Sequence, residues 1–338
     1  MSAPWWAWAG TVAVVLALIT LDFAAAARRP HAVGLREATA WSIAYIALAI
    51  GFGIVLAVTD DGHRAAAYLT GWLVEKSLSV DNLFVFLIIM RQFAVPPQYQ
   101  QKVLLVGITA ALVMRAALIA VGAAAISLFS PTFLLFGLLL IFTAVRLARH
   151  FREDPDVENN RLVRATRRVL PTSEKLHGGR MLAREDGRRV VTPLFVVFLA
   201  IGGTDFIFAL DSIPAVFGVT QDPFLVFAAN AFALLGLRAL YFLIEGLLSR
   251  LVYLSLGLAV ILAFIGVKLI LFFGHENVSS AVPTVATPVS LVVILVVLAV
   301  STVTSLYRVR RHPEERAHAG TLRRRPPAEP RRQLDEDR

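Results

Sequence analysis

The feature that most restricts this chain is the recurrence of apolar stretches long enough to cross a bilayer. They lie near 5–27, 40–59, 67–90, 103–127, 132–148, 192–218, 223–247, 251–273 and 287–307. A hydrocarbon core about 30 Å thick takes roughly 20 helical residues, and inside it each backbone N–H and C=O must be satisfied within its own segment. Each stretch therefore reads as a transmembrane helix. Apolar residues make up 57% of the chain, and the 17% that are charged crowd into the intervals between the stretches. The expected fold is all-α: a polytopic membrane helix bundle of about nine transmembrane helices.

Basic residues orient it. With the N-terminus outside, the inner segments 28–39, 91–102, 149–190, 248–250 and 308–338 hold 27 of the 33 Lys and Arg, and the outer loops hold only Arg64. Positive charge stays cytoplasmic, so the chain reads as N-out and C-in in the cell membrane, which requires an odd number of spans. The net charge of +9 follows from this asymmetry, and no nucleic-acid partner is expected. No basic residue precedes the first span and Arg28 and Arg29 follow it, so it reads as a retained signal anchor, with Trp5 and Trp6 at the outer interface. The organisation is then 1–148, spans one to five; 149–191, a charged cytoplasmic loop; 192–307, spans six to nine; and 308–338, a basic tail whose Arg and Pro content reads as disordered.

The spans repeat. Glu75-Lys-Ser-Leu-Ser-Val-Asp81-Asn82 in the third resembles Asp205-Phe-Ile-Phe-Ala-Leu-Asp211-Ser212 in the sixth. Arg115 in the fourth matches Arg238 in the seventh, and Arg146 in the fifth matches Lys268 in the eighth. The offsets are 130 or 124 for the acids, depending on which are matched, then 123 and 122. A unit of three spans must insert its second copy inverted, an arrangement that places a substrate site near the midplane between the repeats.

Glu75, Asp81, Asp205 and Asp211 lie near their span centres, where an ionisable group costs roughly 2.5–3.5 kcal/mol. Residues seven apart share a helix face. Glu75 with Asn82, Thr204 with Asp211, and Asp205 with Ser212 thus form oxygen-bearing pairs. Pro214 removes a donor and frees the Leu210 carbonyl beside Asp211, which suggests a broken helix there. Hard oxygen ligands suit magnesium, calcium or manganese(II); the absence of Cys and of mid-membrane His argues against copper and zinc. An acid-rich site also titrates, consistent with proton exchange. A plainer reading pairs the four acids with Lys76, Arg115, Arg238 and Lys268 as a static polar core; in either case the two arginines are expected to hold acids in position. Asp22, near the end of the first span, reads equally as interfacial or functional.

Glu75-Lys-Ser-Leu-Ser-Val-Asp81-Asn82-Leu-Phe-Val-Phe, Phe208-Ala-Leu-Asp211-Ser-Ile-Pro214-Ala and Leu235-Gly-Leu-Arg238-Ala-Leu-Tyr-Phe resemble motifs of the TerC family of integral membrane proteins. The resemblance runs from about residue 8 to 307, apart from the charged loop. It implies manganese(II) export, metal supply to secreted enzymes with membrane or secretory partners, or tellurium-ion resistance. It also implies that Glu75, Asp81, Asn82, Asp205 and Asp211 fall on the family's acidic membrane motifs. One departure stands out: Gly202 occupies a position where the family commonly has Glu, and Glu245 appears in the seventh span where small residues are usual.

The expected function is a divalent-metal transporter, most simply a manganese(II) exporter coupled to protons, embedded in the lipid bilayer. The expected ligands are Glu75, Asp81, Asn82, Asp205, Asp211 and Ser212, with Arg115, Arg238, Thr204 and Glu245 in support. No prosthetic group and no enzymatic activity are expected. Paired-aspartate proteolysis would want Gly-flanked Asp motifs that are absent here. The alternative is a non-transporting membrane scaffold in metal or tellurium stress, working through the loop and tail.

Overall fold

The computed structural model describes residues 3–28, 34–60, 62–93, 95–149, 181–185, 188–244 and 253–311. Among them the order is α1 Trp5–Arg28, α2 Leu35–Thr59, α3 Gly62–Gln92, α4 Pro97–Leu128, α5 Thr132–Arg149, β1 Leu182–Glu185, β2 Arg188–Val191, α6 Pro193–Phe217, α7 Pro223–Leu234, α8 Leu237–Ile244, α9 Leu254–Asn277 and α10 Thr287–Arg311. Several starts are written locally. Proline stands in the first turn of α4, α6 and α7, where its missing N–H costs nothing, and the Asp222 carboxylate caps α7 by accepting from Phe224 N at 3.0 Å.

Eight segments are long and apolar enough to cross a membrane, α7 and α8 together making one of them. The ninth expected span is α3. At 31 residues it is about 46 Å long, and Glu75, Lys76 and Asp81 interrupt its apolar run. It can carry these charges because it is central, packing against α2, α6, α7, α8, α9 and α10. The seventh span is the most enclosed, 89% of it buried against 17% for the first. Trp5 and Trp6 stand exposed at the start of α1, as an interfacial anchor would.

Two glycines set the closest helix contact. A Cβ on Gly137 of α5 would lie 2.8 Å from the Gly266 carbonyl of α9, and a Cβ on Gly266 would lie 2.8 Å from the Gly137 carbonyl. Only a pair without side chains lets these backbones cross so closely.

The seventh span is not the continuous helix expected over 223–247. It breaks at Leu235 (φ −57°, ψ 132°) and Gly236 (φ +83°), the central pair of a type II turn. A Cβ at Gly236 would also meet the Tyr45 ring at 2.9 Å. The break expected at Pro214 does not occur: α6 runs through it to Phe217. Pro214 forfeits the one hydrogen bond that its N–H would have made to Leu210, and its own carbonyl accepts from Gly218 N at 2.9 Å, so the helix continues past it.

Of the loop expected over 149–191, the described end forms an antiparallel hairpin, Leu182 opposite Val191 and Glu185 opposite Arg188. Met181 accepts from Thr192 N and Oγ1, both at 3.1 Å, tying the hairpin to the start of α6. Residues 151–180, the tail from 312 and Glu245 lie outside the described residues.

Candidate functional site

Contacts along the helices fix how the acids meet. Gly107 and Gly122 of α4 sit against Ile201 and Phe217 of α6, so α4 and α6 run parallel. Gly71 of α3 sits against Val216 of α6. Four residues on in α3 is Glu75, four residues back in α6 is Ser212, and both meet the Arg115 guanidinium, so α3 and α6 run antiparallel. One further heptad step brings Asn82, also buried, to the level of Asp205. The two oxygen-bearing stripes read from the sequence thus face each other, with Arg115 of α4 between them.

Arg115 is fully buried and well satisfied. Its Nε and Nη2 donate to the two oxygens of Asp205 at 3.2 and 3.0 Å, a bidentate pair. Its Nη1 donates to Glu75 Oε1 and, at 3.0 Å, to Ser212 Oγ. Ser79 Oγ also donates to Glu75 Oε1, at 3.3 Å. Two carboxylates around one guanidinium leave a local charge of about −1, and Glu75 Oε2 is buried without a hydrogen-bond partner among the described residues. Of the four expected acids, Arg115 contacts Glu75 and Asp205.

Asp81 and Asp211 each precede a stripe residue by one position, so each is turned about 100° from that junction. They look towards the α5–α9 pair. Asp81 Oδ1 accepts from Ser255 Oγ at 3.0 Å, and Asp211 Oδ1 accepts from Thr143 Oγ1 at 2.8 Å. The charge of Arg146, one turn along α5, bears on Asp211, whereas Asp81 has no basic partner among the described residues. By the α3–α6 register the two acids stand about 8 Å apart in depth.

The remaining expected residues go elsewhere. Arg238 holds none of the four acids: its Nη2 donates to Asp22 Oδ1 of α1 at 2.7 Å, in a buried ion pair. Asp22 is therefore a buried ion-pair partner, and only its position inside an apolar span signalled this. Lys76 Nζ donates to the Ala233 carbonyl at 3.1 Å and Lys268 Nζ to Ser290 Oγ at 3.1 Å, so neither lysine neutralises an acid as the static-core reading required. Thr204 Oγ1 turns back to the Ala200 carbonyl of its own helix at 2.7 Å. Gly202 has open space where a Cβ would stand; Glu245, the other departure from the family pattern, lies outside the described residues. Among the described residues no three His, Asp or Glu side chains converge as a metal-binding set. Of the six expected ligands, Glu75, Asp205 and Ser212 meet Arg115, Asp81 and Asp211 accept from hydroxyls, and Asn82 is buried on the same stripe as Glu75.

A bundle of membrane-spanning helices with paired acids buried on its central helices defines a polytopic integral membrane protein. Comparison with known proteins narrows the class: the integral membrane protein TerC family matches residues 60–313, and the chain belongs to that family. An uncharacterized membrane protein of Mycobacterium tuberculosis is 46% identical over 322 residues, covering 92% of this chain and 81% of the relative. One from Myxococcus xanthus is 38% identical over 314 residues, covering 92% and 95%. A protein of Escherichia coli K12 named as a candidate membrane-bound redox modulator, Alx, is 37% identical over 319 residues, covering 91% and 97%. No solved structure matches the chain.

Proposed function

We propose that the chain is a secondary transporter that moves a divalent metal ion, with manganese(II) efflux against protons as its activity. The observation that carries this reading is the division of labour among the buried acids. Arg115 takes up Glu75 and Asp205, while Asp81 and Asp211 each accept from a hydroxyl, about 100° further round the same two helices. Such carboxylates can exchange a hydroxyl donor for a cation at little cost, and their oxygens are hard ligands suited to manganese(II). At these depths each could hold a passing ion in turn, and each could carry a proton when the ion has left.

The packing supports an inverted repeat. Gly71 of α3 meets Ala229 of α7, and Ile201 of α6 meets Gly107 of α4. Shifting Gly71 by 130, the offset of the acids, gives Ile201, and shifting Ala229 back by 123, the offset of the two arginines, gives Val106, the neighbour of Gly107. Under the 130 offset Glu75 matches Asp205, both on Arg115, and Asp81 matches Asp211, both on a hydroxyl from the third helix of the other triplet. Roles that follow the repeat favour a site at its interface.

The test is manganese efflux from metal-loaded cells. Asp81→Asn and Asp211→Asn each keep the shape and remove a charge; either is expected to abolish efflux while membrane-inserted protein stays at its normal level. Full efflux by both variants would sink the reading. The scaffold alternative draws on the Arg115 junction, an ion-paired cluster that braces three helices without any cargo, and it predicts the reverse pattern: tolerance of Asp81→Asn and failure on loss of residues 151–190. The redox name of the Escherichia coli relative adds no thiol chemistry here, since this chain has no cysteine.

A further inference from the structure

The break in the seventh span leaves a helix end inside the membrane. Leu235 N donates to the Ala231 carbonyl, and the next helical bond is Leu240 N to the Gly236 carbonyl. In a continuous helix the N–H groups of Gly236 and Leu237 would answer the carbonyls of Phe232 and Ala233; the type II turn points them away. Phe232, Ala233 and Leu234 are all buried, so these carbonyls are closed off from solvent. The C-terminal end of α7 also carries the negative pole of its backbone dipoles. An end of this kind in hydrocarbon calls for a positive partner.

The partner is Lys76. Its Nζ donates to the Ala233 carbonyl at 3.1 Å, and no carboxylate of the described residues lies within ion-pair distance of it. Lys76 directly follows Glu75, so the helix that offers an acid to Arg115 on one side offers an ammonium to the broken helix on the other. A separate cavity of only about 10 Å³ beside the turn, lined by Asp22, Thr109, Leu235 and Arg238 among others, reaches neither Lys76 nor Ala233, so the lysine itself fills the space at the carbonyl end. The Asp22 carboxylate in that lining is matched by Arg238.

We propose that the carbonyl end of α7 is a binding site for a monovalent cation, and that Lys76 is its built-in occupant, standing where other membrane proteins would bind sodium or potassium. The lysine makes the site independent of free alkali ions, and removing its charge opens the site to them. This inference does not depend on what the acids carry, since its test contains no divalent metal and no transport step.

The experiment uses the full chain purified into lipid nanodiscs. Thermal unfolding is followed in sodium chloride, in potassium chloride and in N-methylglucamine chloride at equal ionic strength. Wild type and Lys76→Arg are expected to unfold at the same temperature in all three. Lys76→Met, of similar length without charge, is expected to be destabilised in N-methylglucamine and to recover by roughly 3 °C or more in one alkali salt, with saturation as that salt is raised. A folded Lys76→Met protein indifferent to alkali ions would overturn the proposal, as would a wild type that responds as the variant does. Should Lys76→Met fail to fold in N-methylglucamine, extraction in sodium or potassium chloride decides: recovery of monodisperse protein there supports the site, and failure in every salt refutes it.

Discussion

The Arg115 junction and the Asp81 and Asp211 positions lie on the same two helices, yet they are built on opposite terms. At the junction a fully buried guanidinium binds Asp205 through two nitrogens and Glu75 through a third contact, with Ser212 and Ser79 completing the shell. A quarter-turn round α3 and α6, the other two acids have a single hydroxyl each and only partial burial. Removing water from a charge is costly in both places, but the junction offsets that cost with a guanidinium bonded to both acids, whereas Asp211 feels the charge of Arg146 and Asp81 has no basic partner among the described residues. The first arrangement holds helices together. The second leaves a charge that a cation or a proton can satisfy, which is the requirement for handling an ion in transit.

The contrast breaks most sharply at Arg115. Arg115→Met removes the cation from two buried carboxylates, a change that costs about 3–5 kcal/mol when one partner of a buried pair is lost. The expected outcome is little monodisperse protein on extraction from membranes, with Arg115→Lys intermediate because it keeps the charge and loses the planar fork. If Arg115→Met yields as much stable protein as wild type, the junction is not the brace described.

A smaller effect sharpens the same contrast. Asp205→Asn places an amide N–H₂ against guanidinium donors and spoils a charged, bidentate interaction, at an expected cost of about 2 kcal/mol. Asp81→Asn meets only Ser255, whose hydroxyl can donate to the amide oxygen as it did to the carboxylate, and is expected to cost less than about 1 kcal/mol. Thermal unfolding of the two variants in one lipid should separate them. Equal losses would mean that both acids are structural and would undercut the assignment of Asp81 to the cargo.

Much of this was legible in the chain. The spans follow from length and apolarity, the acids from their cost at mid-membrane, and the Arg115 pairing from the need to meet that cost. What could not be read is which partner each cation chooses. Arg238 repeats Arg115 in the sequence, but α1 packs beside it and supplies Asp22, and α1 lies outside the repeat. The site of the helix break was misjudged for a related reason. Proline advertises a lost donor at Pro214, yet one missing bond to Leu210 does not interrupt α6, which continues to Phe217 with Gly218 N bonded to the Pro214 carbonyl. Glycine at Gly236 gives a weaker local signal, and only the Leu235 turn and the closeness of Tyr45 make it the break. The separation of the acids into two kinds was equally hidden, since it depends on an α3–α6 register that single-helix periodicity does not contain.

The smallest predicted effect tests whether Asp81 and Asp211 are truly separate. Ser255→Ala and Thr143→Val each delete the one hydroxyl that steadies an aspartate, and Val preserves the β-branched shape of Thr143. Each acid retains partial exposure, so its freed oxygen is not stranded, and the loss is expected near 1 kcal/mol, the ordinary net worth of one hydrogen bond. The two hydroxyls come from different helices, α9 and α5, and have no partner in common. At a depth difference of about 8 Å the two losses should add to within about 0.5 kcal/mol in the double variant. Thermal unfolding of the four proteins of the cycle measures this. A coupling above about 1 kcal/mol would mean that Asp81 and Asp211 share one site, with a cation or water bridging them, and the stepwise passage of cargo from one to the other would have to give way to binding by both at once.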